Sequence, residues 1–162
     1  MTTQIEHANL LYKEASHADR QGNMERAEML YMESRRIFEH AGGIHRLDAS
    51  RIMNAIACMK QHIGDFTGAL AAAQDGLKVL GTARYTETGA EEADIRLQAW
   101  CVIANMYRYL ARYKEAEQIL RTALAYASSI FGEKSEQACE AGNHLSVLYK
   151  YTGRFEENLA VV

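Results

Sequence analysis

Proline is absent from all 162 residues. At average usage of about 5%, a chain of this length would carry about eight. Sheet edges and irregular loops accept proline, whereas helix interiors reject it, so its absence points to helix nearly throughout. Cysteine is scarce as well: Cys58, Cys101 and Cys139 are odd in number and widely spaced. They form no CxxC pair and no disulfide framework, which suits a reducing, cytoplasmic setting. Charge of one sign is also lacking. A net charge of −3 gives no electrostatic case for nucleic acid or an anionic membrane surface. No apolar run approaches the ~20 residues of a membrane span, and the start, Met1-Thr2-Thr3-Gln4-Ile5-Glu6-His7, lacks a signal-peptide layout. With 48% hydrophobic and 24% charged residues, the composition is that of a folded, all-α domain.

Present instead is an internal repeat. Gly22-Asn23-Met24-Glu25-Arg26-Ala27, Gly64-Asp65-Phe66-Thr67-Gly68-Ala69, Ala111-Arg112-Tyr113-Lys114-Glu115-Ala116 and Gly153-Arg154-Phe155-Glu156-Glu157-Asn158 start 42, 47 and 42 residues apart. Seven residues before each start stand Ala15, Ala57, Ala104 and Ser146, preceded by Glu14, Ile56, Ile103 and Leu145. Four residues after each alanine come Tyr31, Ala73 and Leu120. Such columns describe a helical hairpin. Small residues permit close helix approach, glycine adopts the left-handed conformation that ends the first helix, and Asn23 or Asp65 caps the second. Met24, Phe66, Tyr113 and Phe155 plug the hairpin. Each hairpin leaves an apolar face for a neighbour to cover.

A small residue, seven positions, then Gly-x-aromatic-x-x-Ala resembles the tetratricopeptide signature. The stretch Leu145-Ser146-Val147-Leu148-Tyr149-Lys150-Tyr151-Thr152-Gly153-Arg154-Phe155-Glu156-Glu157 is similar to the long-period repeats of kinesin light chains. Three features depart from the pattern: the proline that usually ends a repeat is missing, Ala111 replaces a Gly, and Asn158 replaces an Ala. The period exceeds the usual 34 or so, which implies longer helices. The resemblance implies a single domain over 1–162, a right-handed superhelical solenoid of four antiparallel hairpins at about 3–41, 47–81, 91–130 and 135–162, the fourth incomplete. Helices are expected at about 3–20, 24–41, 47–62, 66–81, 91–110, 113–130, 135–151 and 155–162. The Gly81–Gly89 stretch with Thr82, Thr86 and Thr88 is expected to be a loop, and Ala41-Gly42-Gly43 a second break.

By the same resemblance, the first helix of each hairpin lines a concave surface that binds a partner. That surface comprises Asn9, Tyr12, Ser16 and Asp19; Arg51, Asn54, Cys58 and Gln61; Gln98, Cys101, Asn105 and Arg108; and Asn143, Val147 and Lys150. Asn and Gln supply both a donor and an acceptor to the backbone of an extended peptide. Arg51 and Arg108 can each grip a carboxylate. Lysine and asparagine, which chaperone-binding relatives carry on the first repeat, are replaced by Tyr12 and Ser16, which speaks against capture of a C-terminal carboxylate. Trp100, Tyr107 and Tyr149 fall on packing positions, while Tyr109 and Tyr151 stand one position off that stripe and flank the groove.

No catalytic constellation stands out. His7, His17, His40, His45, His62 and His144 lack HExxH or similar spacing. Cys58 and His62, with Cys101, form a weak soft-metal alternative to ordinary packing, so neither a metal nor a cofactor is expected. Glu91-Glu92 and Glu156-Glu157 read as solvated helix charges. The expectation is a cytoplasmic adaptor, not an enzyme, that holds a protein or peptide partner. Two alternatives remain: a regulatory repeat domain of a longer signalling protein, or a self-assembling protein stacking through an uncapped C-terminal end as a homo-oligomer. The apolar end Leu159-Ala160-Val161-Val162 motivates both, since solenoids need a polar terminal cap.

Overall fold

The computed structural model describes residues 2–81 and 89–159. Every regular element among them is helical: α1 (Thr2–Arg20), α2 (Met24–Ala41), α3 (Arg46–His62), α4 (Phe66–Leu80), α5 (Ala90–Tyr109), α6 (Tyr113–Phe131), α7 (Glu136–Tyr151) and α8 (Phe155–Leu159). A short 3-10 turn, Gly43–His45, marks the second break, where Gly42 and Gly43 have φ of 64° and 58°. Helix limits agree with the periodicity to within one or two residues. The expected loop at Thr82, Thr86 and Thr88 and the final Ala160, Val161 and Val162 lie outside the described residues. Two compact units are formed, Met1–Thr82 with α1–α4 and Ala83–Val162 with α5–α8.

The four hairpin turns share one hydrogen-bonding scheme. Gly22, Gly64, Ala111 and Gly153 donate to the carbonyls of Asp19, Gln61, Arg108 and Lys150; the next residues, Asn23, Asp65, Arg112 and Arg154, donate to Ala18, Lys60, Tyr107 and Tyr149. This pair of bonds requires a left-handed residue at the turn. Three turns use glycine for it, at φ of 77°, 82° and 72°, and the third forces Ala111 to 57°. Asn23 and Asp65 then cap α2 and α4, accepting from Arg26 N and Gly68 N, whereas Arg112 makes no side-chain cap and pairs with Glu115 instead.

Small residues let the helices close on one another. Ala15, Ala57 and Ala104 are at most 1% exposed, Ser146 is 6%, and Ala27, Ala69 and Ala116 are sealed. In the first unit α1 packs on α2, α2 on α3 and α3 on α4. One interhelical bond recurs there with its direction reversed. Ser34 of α2 donates to Ala8 O of α1 at 2.7 Å, and Ser50 of α3 donates to Gly76 O of α4 at 3.0 Å. The 42-residue repeat makes Ser50 the counterpart of Ala8, and Gly76 that of Ser34.

In the second unit α6 lies between α5 and α7. Its Leu120 and Ala116 join Ala104, Leu145, Leu148 and Tyr149, and its Ala123 and Ala127 join Leu97, Ala138 and Ala141. Trp100 and Tyr107 pack at the borders of these clusters, and Tyr149 is buried, as the repeat register requires. The plug residues Met24, Phe66 and Tyr113 are half-buried, while Phe155 remains exposed on the short α8. Glu117 ties three helices together. Its carboxylate accepts from Arg121 of α6 and from Tyr149 of α7, each at 3.0 Å, and from Arg154 at the start of α8. Arg154 first, then Arg121 and Tyr149, hold the Glu117 carboxyl down at about 2.

Glu92 corrects the sequence reading. Far from being solvated, it is 2% exposed and pairs with Arg96 one turn on, at 3.0 Å. Glu91 stays exposed.

Two outcomes test this account. Ala111→Gly, by relieving the left-handed alanine, raises stability by about 1 kcal/mol in urea or thermal unfolding. Glu117 is charged well below its ordinary range only when folded, so its contribution is complete above about 4.5 and is lost as pH falls toward 2. Acid titration of stability therefore shows a component in that window, which Glu117→Gln removes.

Candidate interaction surface

The first helices of the hairpins carry the side chains that the family resemblance expects to meet a partner. In the first unit these are α1 and α3. Asn9 is exposed. Tyr12 lies with its ring centroid 5.6 Å from that of Tyr31 on α2. Ser16 hydrogen-bonds the Tyr31 hydroxyl, whose pKa is pushed up by burial first and by Tyr12 second. Asp19 adds to the upward push on the Tyr31 hydroxyl and, after burial, on the Cys58 thiol of α3. Arg51 is half-exposed and 3.4 Å from Asp48, and Gln61 is half-buried. Asn54 is only 7% exposed and sits beneath this surface rather than on it. The open clefts of this unit lie elsewhere. One of about 430 Å³ is lined by Gln4, His7, Glu33, Arg36, Ile37 and His40, between α1 and α2.

In the second unit α5 and α7 run side by side in the same direction, as three interactions in sequence order show. At the start, Asp94 accepts from Gln98 at 2.9 Å and from Gln137 of α7 at 3.3 Å. In the middle, Cys101 faces the charge of Glu140; burial first and Glu140 second push its thiol up to about 12. At the end, the Arg108 guanidinium lies 4.4 Å from the Tyr109 ring centroid and 5.4 Å from that of Tyr151. His144 stands between these last two stations. Burial pulls its pKa down, Glu140 pushes it up and Arg108 adds to the depression. Asn105 is half-buried between Cys101 and Arg108. The valley thus runs from acidic Asp94 and Glu140 to basic Arg108.

Arg108 Nε is buried and meets no acceptor among the described residues. Leaving a charged-group donor unmet costs on the order of 1–3 kcal/mol. The expected α7 residues Asn143, Val147 and Lys150 are exposed, whereas Gln137, Glu140, His144 and Tyr151 make polar, electrostatic or cation–π interactions with α5. Glu140 was legible, because it occupies the repeat column of Asn9, Arg51 and Gln98. Nothing in the pattern singled out His144.

The polar groups along α5 and α7 donate and accept hydrogen bonds. With its pKa pushed up to about 12, the Cys101 thiol stays protonated at neutral pH, where a thiol is a weak nucleophile. Among the described residues no three His, Cys, Asp or Glu side chains are grouped to hold a metal ion, and no helix is long and apolar enough to cross a membrane.

Residues 6–81 and 101–136 match family models that are both described as tetratricopeptide repeat. The chain is a tetratricopeptide repeat protein. Repeats of this family are protein-interaction scaffolds rather than catalysts. Solved structures share the fold at low identity. The apo form of RapI is 16% identical with a TM-score of 0.81 over 98% of this chain, which spans only 41% of the RapI chain. BtubC (BKLC) from P. vanneervenii is 21% identical with a TM-score of 0.74, over 99% of this chain and 70% of that one. A putative kinesin light chain of Podosopora anserina with nearly identical TPR-like repeats is 14% identical, TM-score 0.70, over 95% and 71% of the two chains. The last likeness agrees, at the level of fold, with the resemblance seen from Leu145 to Glu157. No curated protein matches the sequence significantly.

The thiols provide a check on the described burial. Alkylation of the native protein followed by peptide mass mapping modifies exposed Cys139 first, and Cys101 only upon unfolding.

Proposed function

We propose that this tetratricopeptide repeat chain is a non-enzymatic adaptor, working in the cytoplasm, that holds an extended peptide segment of a partner protein on the first helices of its hairpins. The groups assigned to that work are Asn9, Tyr12, Arg51 and Gln61 in the first unit, with Asn54 supporting them from below. In the second unit they are Gln98, Asn105, Arg108, Asn143 and Lys150. The observation that carries the reading is Arg108, whose buried Nε has no acceptor among the described residues while its guanidinium is flanked by two tyrosines at the half-exposed end of α5. An extended peptide brings unbonded carbonyls, and an acidic side chain brings two more oxygens, so either offers acceptors to the guanidinium. Half-buried Asn105, three residues away on α5, adds a paired donor and acceptor to the same face.

A displayed library of unstructured peptides, selected against the purified protein, tests this. Selected peptides are expected to lose roughly 30-fold in affinity on Arg108→Ala, equivalent to about 2 kcal/mol, and less on Asn105→Ala, with circular dichroism unchanged. No enrichment, or peptides indifferent to both substitutions, defeats the reading.

A further inference from the structure

The exposed large hydrophobic residues of the second unit are Tyr109, Val147, Tyr151 and Phe155, at 46%, 45%, 65% and 64% exposure. All four fall at the turn ends of α5 and α7 or at the start of α8. Tyr113 extends the group, its ring centroid 6.3 Å from that of Tyr151. Aromatic exposure is not needed by the turn itself. The counterparts of Tyr109 and Tyr151 in the first unit are Arg20 and His62, in turns with the same hydrogen bonds. Exposed apolar groups beside a charge mark an interaction site, and here Arg108 lies against both Tyr109 and Tyr151.

We infer that this edge docks a proline-rich segment of the partner, with an acidic residue beside the prolines. The inference rests on the adaptor reading above and names the partner's chemistry at the Arg108 end of the α5–α7 valley. Geometry favours it. Arg108 Cζ lies 4.4 Å from one tyrosine centroid and 5.4 Å from the other, so the two rings are separated by at most the sum, about 10 Å. A polyproline II helix advances roughly 9 Å per three-residue turn, so little more than one turn spans the largest separation the two rings can have. Hydrogen bonding favours it too. A polyproline II segment bonds none of its own carbonyls, and so offers acceptors to the edge that Arg108 lines. An amphipathic α-helix has already spent its carbonyls and offers none there. Charge complementarity supplies the acidic residue: among the described residues Arg108 has no carboxylate partner, whereas Arg112 and Arg154 are paired with Glu115 and Glu117.

The test titrates the whole chain with four synthetic peptides, followed by amide chemical shifts. They are a nonaproline with one terminal Glu, its Gln analogue, a Gly/Ser peptide with the same Glu, and an amphipathic helical peptide. The first is expected to shift Tyr109, Tyr151 and Phe155, and to lose roughly tenfold in affinity on Tyr109→Ala or Tyr151→Ala while Tyr151→Phe retains binding. Weaker binding of the Gln analogue supports the acidic residue, and equal binding removes it. Should Tyr109→Ala unfold the protein, Tyr151→Ser, at a mostly exposed position, serves alone. No shifts from the proline peptide at roughly millimolar concentration, or equal binding of the Gly/Ser or helical peptide, overturns the inference. If library-selected peptides still depend on Arg108 in that case, the adaptor reading stands and only the proline-rich partner falls.

Discussion

Each hairpin turn depends on one residue accepting a left-handed backbone. The carbonyls that receive the turn's bonds belong to Asp19, Gln61, Arg108 and Lys150, the same residues that end the column proposed for partner binding on each first helix. Backbone reversal and the placing of that side chain are therefore a single geometric event. A change that loosens the turn also displaces the residue that ends the column. The third turn shows how firmly the demand is imposed, since Ala111 is driven to φ of 57° rather than the turn being rebuilt.

Around this shared frame the columns diverge by environment. Positions that face a neighbouring helix are apolar and closed in α3 and α7, where Ala49 and Ile56, or Ala138 and Leu145, are nearly sealed. Their counterparts in α1 are His7 and Glu14, both exposed. Whether a column is read as core or surface is thus decided by which helix lies opposite. Along the α5–α7 contact Asp94 and Glu140 come before Arg108, which lies in the last turn of α5, where the helix dipole favours a cation.

Much of this was visible in the sequence. The absence of proline and the four aligned turns were enough to locate every described helix, because turn chemistry and small-residue spacing are local properties. Side-chain environment is not local, and there the reading was uneven. Asn54 looks like a groove amide by column but lies beneath the surface at 7% exposure. Glu92 looks like a solvated charge but is buried beside Arg96. His144 carries no motif, and its tie to Arg108 and Glu140 arises only when α7 lies along α5. The tyrosines at 109 and 151, one position off the packing stripe, are exposed.

The serine bonds of the first unit bear on how such hairpins can be recombined. Ser34 reaches Ala8 from the second helix of its pair, while Ser50 reaches Gly76 from the first. The crossing is the same, but the hydroxyl is carried by opposite partners. A chimera of α1 with α4 would bring Ala8 against Gly76 with no hydroxyl between them. One of α3 with α2 would bring Ser50 against Ser34 in a space shaped for one. Helices that are interchangeable by their turns are therefore mated by their crossings, and the hairpin, not the helix, is the unit that can be shuffled.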